Sequence, residues 1–209
     1  MSAVRLAFAP PRRGQRGQSL IEFAFVIPIL LILVIGVADF GRIFAHGLAL
    51  EAAARDAAEI GANEYLANPP APLDQPAPAG LATYYDPLHV RAARVVCAEL
   101  RDLPNANFDP VTTNCPGMPL IAVCVHDGQD PSCGTEVFGS TVPAQCSGMS
   151  TMPTNTQSGS TSRWVEVRVC YRFTAFLNLP IMSFADVWLE QSRSFVIPCY
   201  FILGTQECG

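Results

Sequence analysis

The sequence has little basic charge, and that charge is unevenly placed. Its 209 residues include 13 Lys and Arg against 18 Asp and Glu, which gives a formal net charge of −5. No basic cluster follows position 20, although binding to a phosphate backbone requires one. We therefore expect no nucleic-acid partner.

Catalytic and metal-binding motifs are also missing. The sequence contains no G-x-S-x-G elbow, no phosphate-binding glycine loop and no H-E-x-x-H pair. Its three histidines, His46, His89 and His126, are scattered along the chain. Asp127 and Asp130 are too few carboxylates for a calcium site and predict a solvated turn. The sequence thus indicates a protein that is not an enzyme and has no cofactor, metal or small-molecule substrate.

Cysteine is absent from the first 96 residues, and no C-x-x-C pair of a zinc ribbon or redox site occurs. An even number of cysteines in the later part favours disulfides formed in an oxidising compartment, with reduced buried thiols as the alternative. We predict four intrachain disulfides, one of them joining Cys199 to Cys208, which would tie down the C-terminal tail. The candidate cysteines are Cys97, Cys115, Cys124, Cys133, Cys146, Cys170, Cys199 and Cys208.

A long apolar stretch runs from Leu20 to Ala38, with Glu22 as its only charged residue. As a helix it is roughly 28 Å long at about 1.5 Å per residue, enough to cross the hydrocarbon core of a bilayer. Basic residues precede it, and the positive-inside rule therefore places the N-terminus in the cytoplasm and the later residues outside. The alternative is a secretory signal peptide cleaved after Ala38. The preceding basic residues are Arg5, Arg12, Arg13 and Arg16.

The boundary between the basic leader and this helix carries a more specific pattern. The run Gly17-Gln18-Ser19-Leu20-Ile21-Glu22-Phe23 resembles the processing site of type IVb prepilins. Together with Asp39-Phe40-Gly41-Arg42 beyond the span, it resembles the TadE-like family of tight-adherence (Tad) pilus proteins.

The resemblance implies several functional residues and partners. Gly17, Gln18, Glu22 and Phe23 would belong to the processing site, with cleavage by a prepilin peptidase after Gly17. Asp39, Gly41 and Arg42 would form a family motif after the span. The implied partners are the membrane, the peptidase, and other Tad pilus subunits or platform proteins.

The residue patterns predict an α+β fold. We expect a cytoplasmic leader over 1–17, a transmembrane and extended helix over 18–66, a proline-rich linker over 67–86, and an exported cysteine-rich domain over 87–209. In that domain, a second helix from Asp86 and Pro87 to Leu103 would pack on a small antiparallel sheet. The predicted strands are Leu120 to His126, Trp164 to Phe173 and Trp188 to Ile197.

The long helix beyond the span carries a stripe of apolar and small residues at helical spacing. This stripe could cover the domain's own sheet or pack against helices of other subunits. Its residues are Phe40, Ile43, Phe44, Gly47, Leu50, Ala54, Ala57 and Gly61. Residues 141–162 are rich in Ser, Thr and Gly and predict an exposed loop.

These expectations lead to one favoured prediction of function and two alternatives. The favoured prediction is a TadE-like minor pilin or pseudopilin at a bacterial inner membrane, with its C-terminal domain in the periplasm or outside the cell. The alternatives are an envelope-anchored adhesion or binding module unrelated to pili, and a membrane-tethered hydrolase.

Overall fold

A computed structural model of the chain describes residues 18–67, 82–126, 135–136, 144–146, 163–176 and 187–197. The predicted leader, the predicted turn at Asp127 and Asp130, and most of the predicted linker and loop 141–162 lie outside these residues. The chain divides into two compact units, Met1–Gly41 and Arg42–Gly209.

The first helix, α1, spans Gln18–Ala67 and continues through Pro28. Within the second unit, one face of α1 is buried and consists largely of alanine, from Leu50 to Tyr65. Small side chains on this face allow the helix to approach the sheet closely. At Gly61, an added Cβ would lie 3.0 Å from Cγ1 of Val165 on the central part of the sheet.

The sheet is antiparallel, with four strands in the order β2-β1-β3-β4. The strands are β1 Leu120–His126, β2 Thr135–Glu136, β3 Arg163–Phe173 and β4 Val187–Ile197. The three predicted strands are confirmed, whereas the two-residue β2 was not predicted. The expected α+β fold, with a long helix, a second helix and a small antiparallel sheet, is confirmed.

Strand β3 alternates as predicted, and its register determines what lies on each face of the sheet. Val123 of β1 pairs with Val167, which pairs in turn with Arg193 of β4. The face that includes Val123 and Val167 belongs to the main apolar core with α1 and α2. The predicted inward residues of β3 are all buried: Val165, Val167, Val169, Tyr171 and Phe173.

The second helix, α2, spans Ala82–Glu99, so the predicted start at Asp86 and Pro87 and the predicted end near Leu103 are wrong. Pro87 lies inside the helix, where its missing N–H forfeits one helical hydrogen bond. Tyr85 is fully buried, with ring contacts to Tyr84 and His89. This packing holds the extra N-terminal turn in place.

Two disulfides are described. Cys97 at the end of α2 is bonded to Cys115, and Cys146 is bonded to Cys170 on β3, with Cα separations of 5.3 and 6.1 Å. Cys124 is also disulfide-bonded, and the described part of the chain contains no free cysteine. Cys133, Cys199 and Cys208 lie outside the described residues, so the pairing of Cys199 with Cys208 and the total of four bridges remain predictions.

Candidate functional site

The N-terminal part of α1 presents apolar side chains in every direction. Its most apolar 18-residue window has a mean hydropathy of 2.9, and none of that window is buried within the chain. The exposed side chains include Leu20, Phe25, Leu31 and Val37. A helix that is apolar all round needs an apolar environment, and α1 is long and apolar enough to span a membrane.

The residues of the predicted processing site that the structure describes lie in the first described turns of α1. Gln18 is the first residue of α1, and Gly17 lies outside the described residues. Glu22 lies one turn further along, and four-residue spacing places it on the same helix face as Gln18. Both Glu22 and Phe23 are exposed on the helix surface.

The three residues of the predicted motif after the span have different surroundings. Asp39 is 8% exposed, and no atom lies within 4 Å of a Cβ placed on Gly41. The Arg42 guanidinium stacks over two aromatic rings of the second unit, 5.0 Å from the Phe173 centroid and 3.9 Å from the Phe176 centroid. Arg42 thus makes a cation–π contact with the end of β3 and the residues after it.

The predicted stripe on α1 covers the domain's own sheet over only part of its length. Leu50, Ala54, Ala57 and Gly61 are buried, and Ile43 packs against the core. Its two aromatic members, Phe40 and Phe44, are exposed and do not cover the sheet, and packing of this part against other subunits stays a prediction. These two phenylalanines belong to a neighbouring ridge of the helix that the spacing alone did not separate from the buried one.

A buried polar cluster on the outer face of the sheet was not predicted. The Glu166 carboxylate accepts hydrogen bonds from His126 Nε2 at 3.0 Å, from Arg168 Nε at 2.6 Å and from Ser192 Oγ at 2.8 Å. Burial opposes ionisation of Glu166, but these hydrogen bonds and the charge of Arg168 lower its pKa below the ordinary value. Glu166 and Arg168 are two residues apart on β3, which in sequence suggests only a solvated face.

This cluster does not have the geometry of a hydrolase triad. His126 and Ser192 each bond to the carboxylate, so the acid lies between the base and the hydroxyl. In a working triad the base contacts the nucleophile directly. Across the described residues, no group of three or more His, Cys, Asp or Glu side chains could hold a metal ion.

Most of α1 matches a known protein family. Residues 17–59 match the TadE-like protein family. The resemblance seen in the sequence is therefore confirmed over these residues. Among curated proteins and solved structures, the chain has no match.

The TadE-like segment contains the apolar part of α1, the predicted processing residues and the Asp39-to-Arg42 motif. It ends at residue 59, before α2 and the sheet. The TadE-like family is a pilus family and not a family of enzymes. The family match therefore gives no information on the role of α2 and the sheet.

Proposed function

We propose that this chain is a TadE-like minor pilin or pseudopilin without catalytic activity, which takes part in assembling a tight-adherence type IVb pilus. The observation that carries the proposal is the exposed apolar segment of α1, which lies within the family match. Cleavage after Gly17 by a prepilin peptidase would make that helix the N-terminus of the mature protein. Its partners would be other Tad subunits or platform proteins.

The proposed topology places the leader in the cytoplasm and the domain beyond the inner membrane. The four arginines before Leu20 support this orientation through the positive-inside rule. The disulfides Cys97–Cys115 and Cys146–Cys170 support it independently, because such bonds persist in the periplasm and outside the cell.

Glu22 gives the proposal a specific chemical role. A carboxylate inside an apolar span is costly, by up to about 3 kcal/mol at the bilayer centre and less near an interface, so its presence favours a compensating partner over simple contact with the headgroups. Cleavage would leave a positive α-amino group on Gln18, at a helix end where the dipole disfavours positive charge. We expect Glu22 of the same or a neighbouring subunit to pair with this amine during assembly.

The test is Glu22→Ala and Glu22→Gln in the native host, with leader cleavage, membrane level and piliation scored separately. Both variants should lose piliation while cleavage and membrane level stay normal, because both remove the charge. Glu59→Ala is the matched control, since Glu59 is exposed on the same helix beyond the span. Unchanged piliation in the Glu22 variants would contradict the pairing, and loss of cleavage would assign Glu22 to processing instead.

A further inference from the structure

Several exposed apolar side chains lie on α1 just beyond the predicted span, within the second unit. Phe44 is 63% exposed and Leu48 is 52% exposed, although both belong to a segment whose opposite face is packed on the core. They are four residues apart and form one ridge of the helix. Among the residues that the structure describes, none covers this ridge to the extent that the buried face is covered.

A further exposed aromatic residue lies on another side of α1 at a similar level. Phe176 is 69% exposed and contacts the Arg42 guanidinium. Arg42 and Phe44 are two residues apart, so they point to nearly opposite sides of the helix but differ by only about 3 Å along its axis. Phe44 and the Arg42–Phe176 contact therefore flank α1 on two sides.

Exposed groups on two sides of a helix fit a surrounding bilayer better than a single partner helix. A second helix would cover one side of α1, whereas a bilayer surrounds a helix on all its free sides. Arginine has an apolar stem and a charged head and is typical of the membrane interface, where the phenylalanine rings beside it would contact the apolar side of the headgroup region. The chain position agrees, because Arg42 is four residues, or about 6 Å of helix, beyond Ala38.

We propose that Arg42, Phe44, Leu48 and Phe176 form a membrane-interface collar that rests in the headgroup region of the outer leaflet. This inference rests on the proposed function only in that α1 must span the membrane.

The test is photo-crosslinking of the full-length chain in vesicles of phosphatidylethanolamine and phosphatidylglycerol. The photoreactive analogue p-benzoylphenylalanine is placed singly at Phe44 or Phe176, where it resembles the native ring. We expect lipid adducts at both positions, identified by mass spectrometry. Crosslinks to a second copy of the chain in place of lipid, or no lipid adducts at either position, would overturn the collar.

Two further positions separate this inference from the membrane assignment itself. Ile60 is exposed on α1, about 24 Å beyond Phe44, and should give no lipid adducts. Leu31 in the predicted span should give them. Adducts at Leu31 but not at Phe44 or Phe176 would reject the collar alone, whereas their absence at Leu31 would reject the membrane span and with it the proposed function. Adducts at Ile60 equal to those at Phe44 and Phe176 would show non-specific adsorption and also reject the collar.

Discussion

Glu166 lies on β3, with its side chain on the sheet face opposite the two helices. Its partners His126 and Ser192 are 40 and 26 residues away in sequence, and they reach it only because the register places β1 and β4 on either side of β3. Removing one member of a buried charged group costs more than a surface ion pair, because the remaining groups stay desolvated. Removing any one member of the cluster is therefore expected to destabilise the sheet.

The substitution Glu166→Gln should destabilise the domain by roughly 1–3 kcal/mol, because it removes the charge that Arg168 and His126 stabilise. Urea unfolding of the full-length chain in detergent measures this. Tryptophan fluorescence is a suitable signal, since Trp164 and Trp188, the only two tryptophans, both lie in the sheet. Glu59→Gln is the matched control on an exposed glutamate and should change little.

The same residue predicts a pH dependence. The folded pKa of Glu166 is below the ordinary value of 4.5, so on acidification the unfolded chain binds the proton first. The stabilisation from Glu166 is present above pH 4.5 and is lost as the pH falls through the lower, folded pKa. Glu166→Gln should flatten this part of the stability profile, and an unchanged slope would show that Glu166 does not contribute to it.

At the scale of elements, close packing of α1 on β3 depends on residues without large side chains. Gly61→Ala places a Cβ 3.0 Å from the stiff, β-branched Val165, whereas Gly47→Ala meets no atom within 4 Å. Overpacking costs about 1–3 kcal/mol, and the gain in helix propensity is at most about 1 kcal/mol. We expect Gly61→Ala to destabilise the domain and Gly47→Ala to stabilise it by about 0.5–1 kcal/mol. Urea unfolding checks both, and shifts in the same direction would contradict the packing argument.

Sequence patterns predicted some elements well because a local rule determined them. Strands β1, β3 and β4 have β-branched or alternating residues that favour extended structure, and their bounds agree with the structure to within one residue. The start of α2 was predicted too late because proline favours the first turn of a helix, and Pro87 was therefore taken as the start. The buried ring of Tyr85 stabilises the preceding turn through tertiary contacts, which the local sequence does not show. Strand β2 was missed because two residues are too few to show an alternation of apolar and polar side chains. These residues form a strand by pairing with Ile121 and Ala122 of β1.

Only part of the candidate site could be predicted from the sequence. The apolar helix and the motif around it were recognisable in the sequence, because a span and a family pattern are both continuous in the chain. The contacts of Arg42 with Phe173 and Phe176 were not recognisable in the sequence, because more than 130 residues separate Arg42 from these rings. The separation of the exposed Phe44 ridge from the buried Leu50 face also required the sheet to be in place.

At the scale of the whole molecule, we propose that α1 is both the membrane anchor and the N-terminus of the mature subunit. The disulfide-bonded domain would fold outside the cytoplasm, while the leader would remain inside until cleavage. The chain contains no lysine, so its single primary amine is the α-amino group of whichever residue comes first. Amine-specific labelling therefore marks the mature N-terminus and nothing else in the polypeptide.

The most direct test is to label the protein isolated from its native membrane and to determine both its intact mass and its labelled peptide. The intact mass also detects a Gln18 terminus that has cyclised and lost its amine. Gly17→Val should prevent cleavage, and Gly14→Val, a matched glycine in the same leader, should not. The account predicts a mature chain that begins at Gln18 and remains in the membrane; a chain that begins at Met1 in cells with an active prepilin peptidase, or at Asp39, would contradict it.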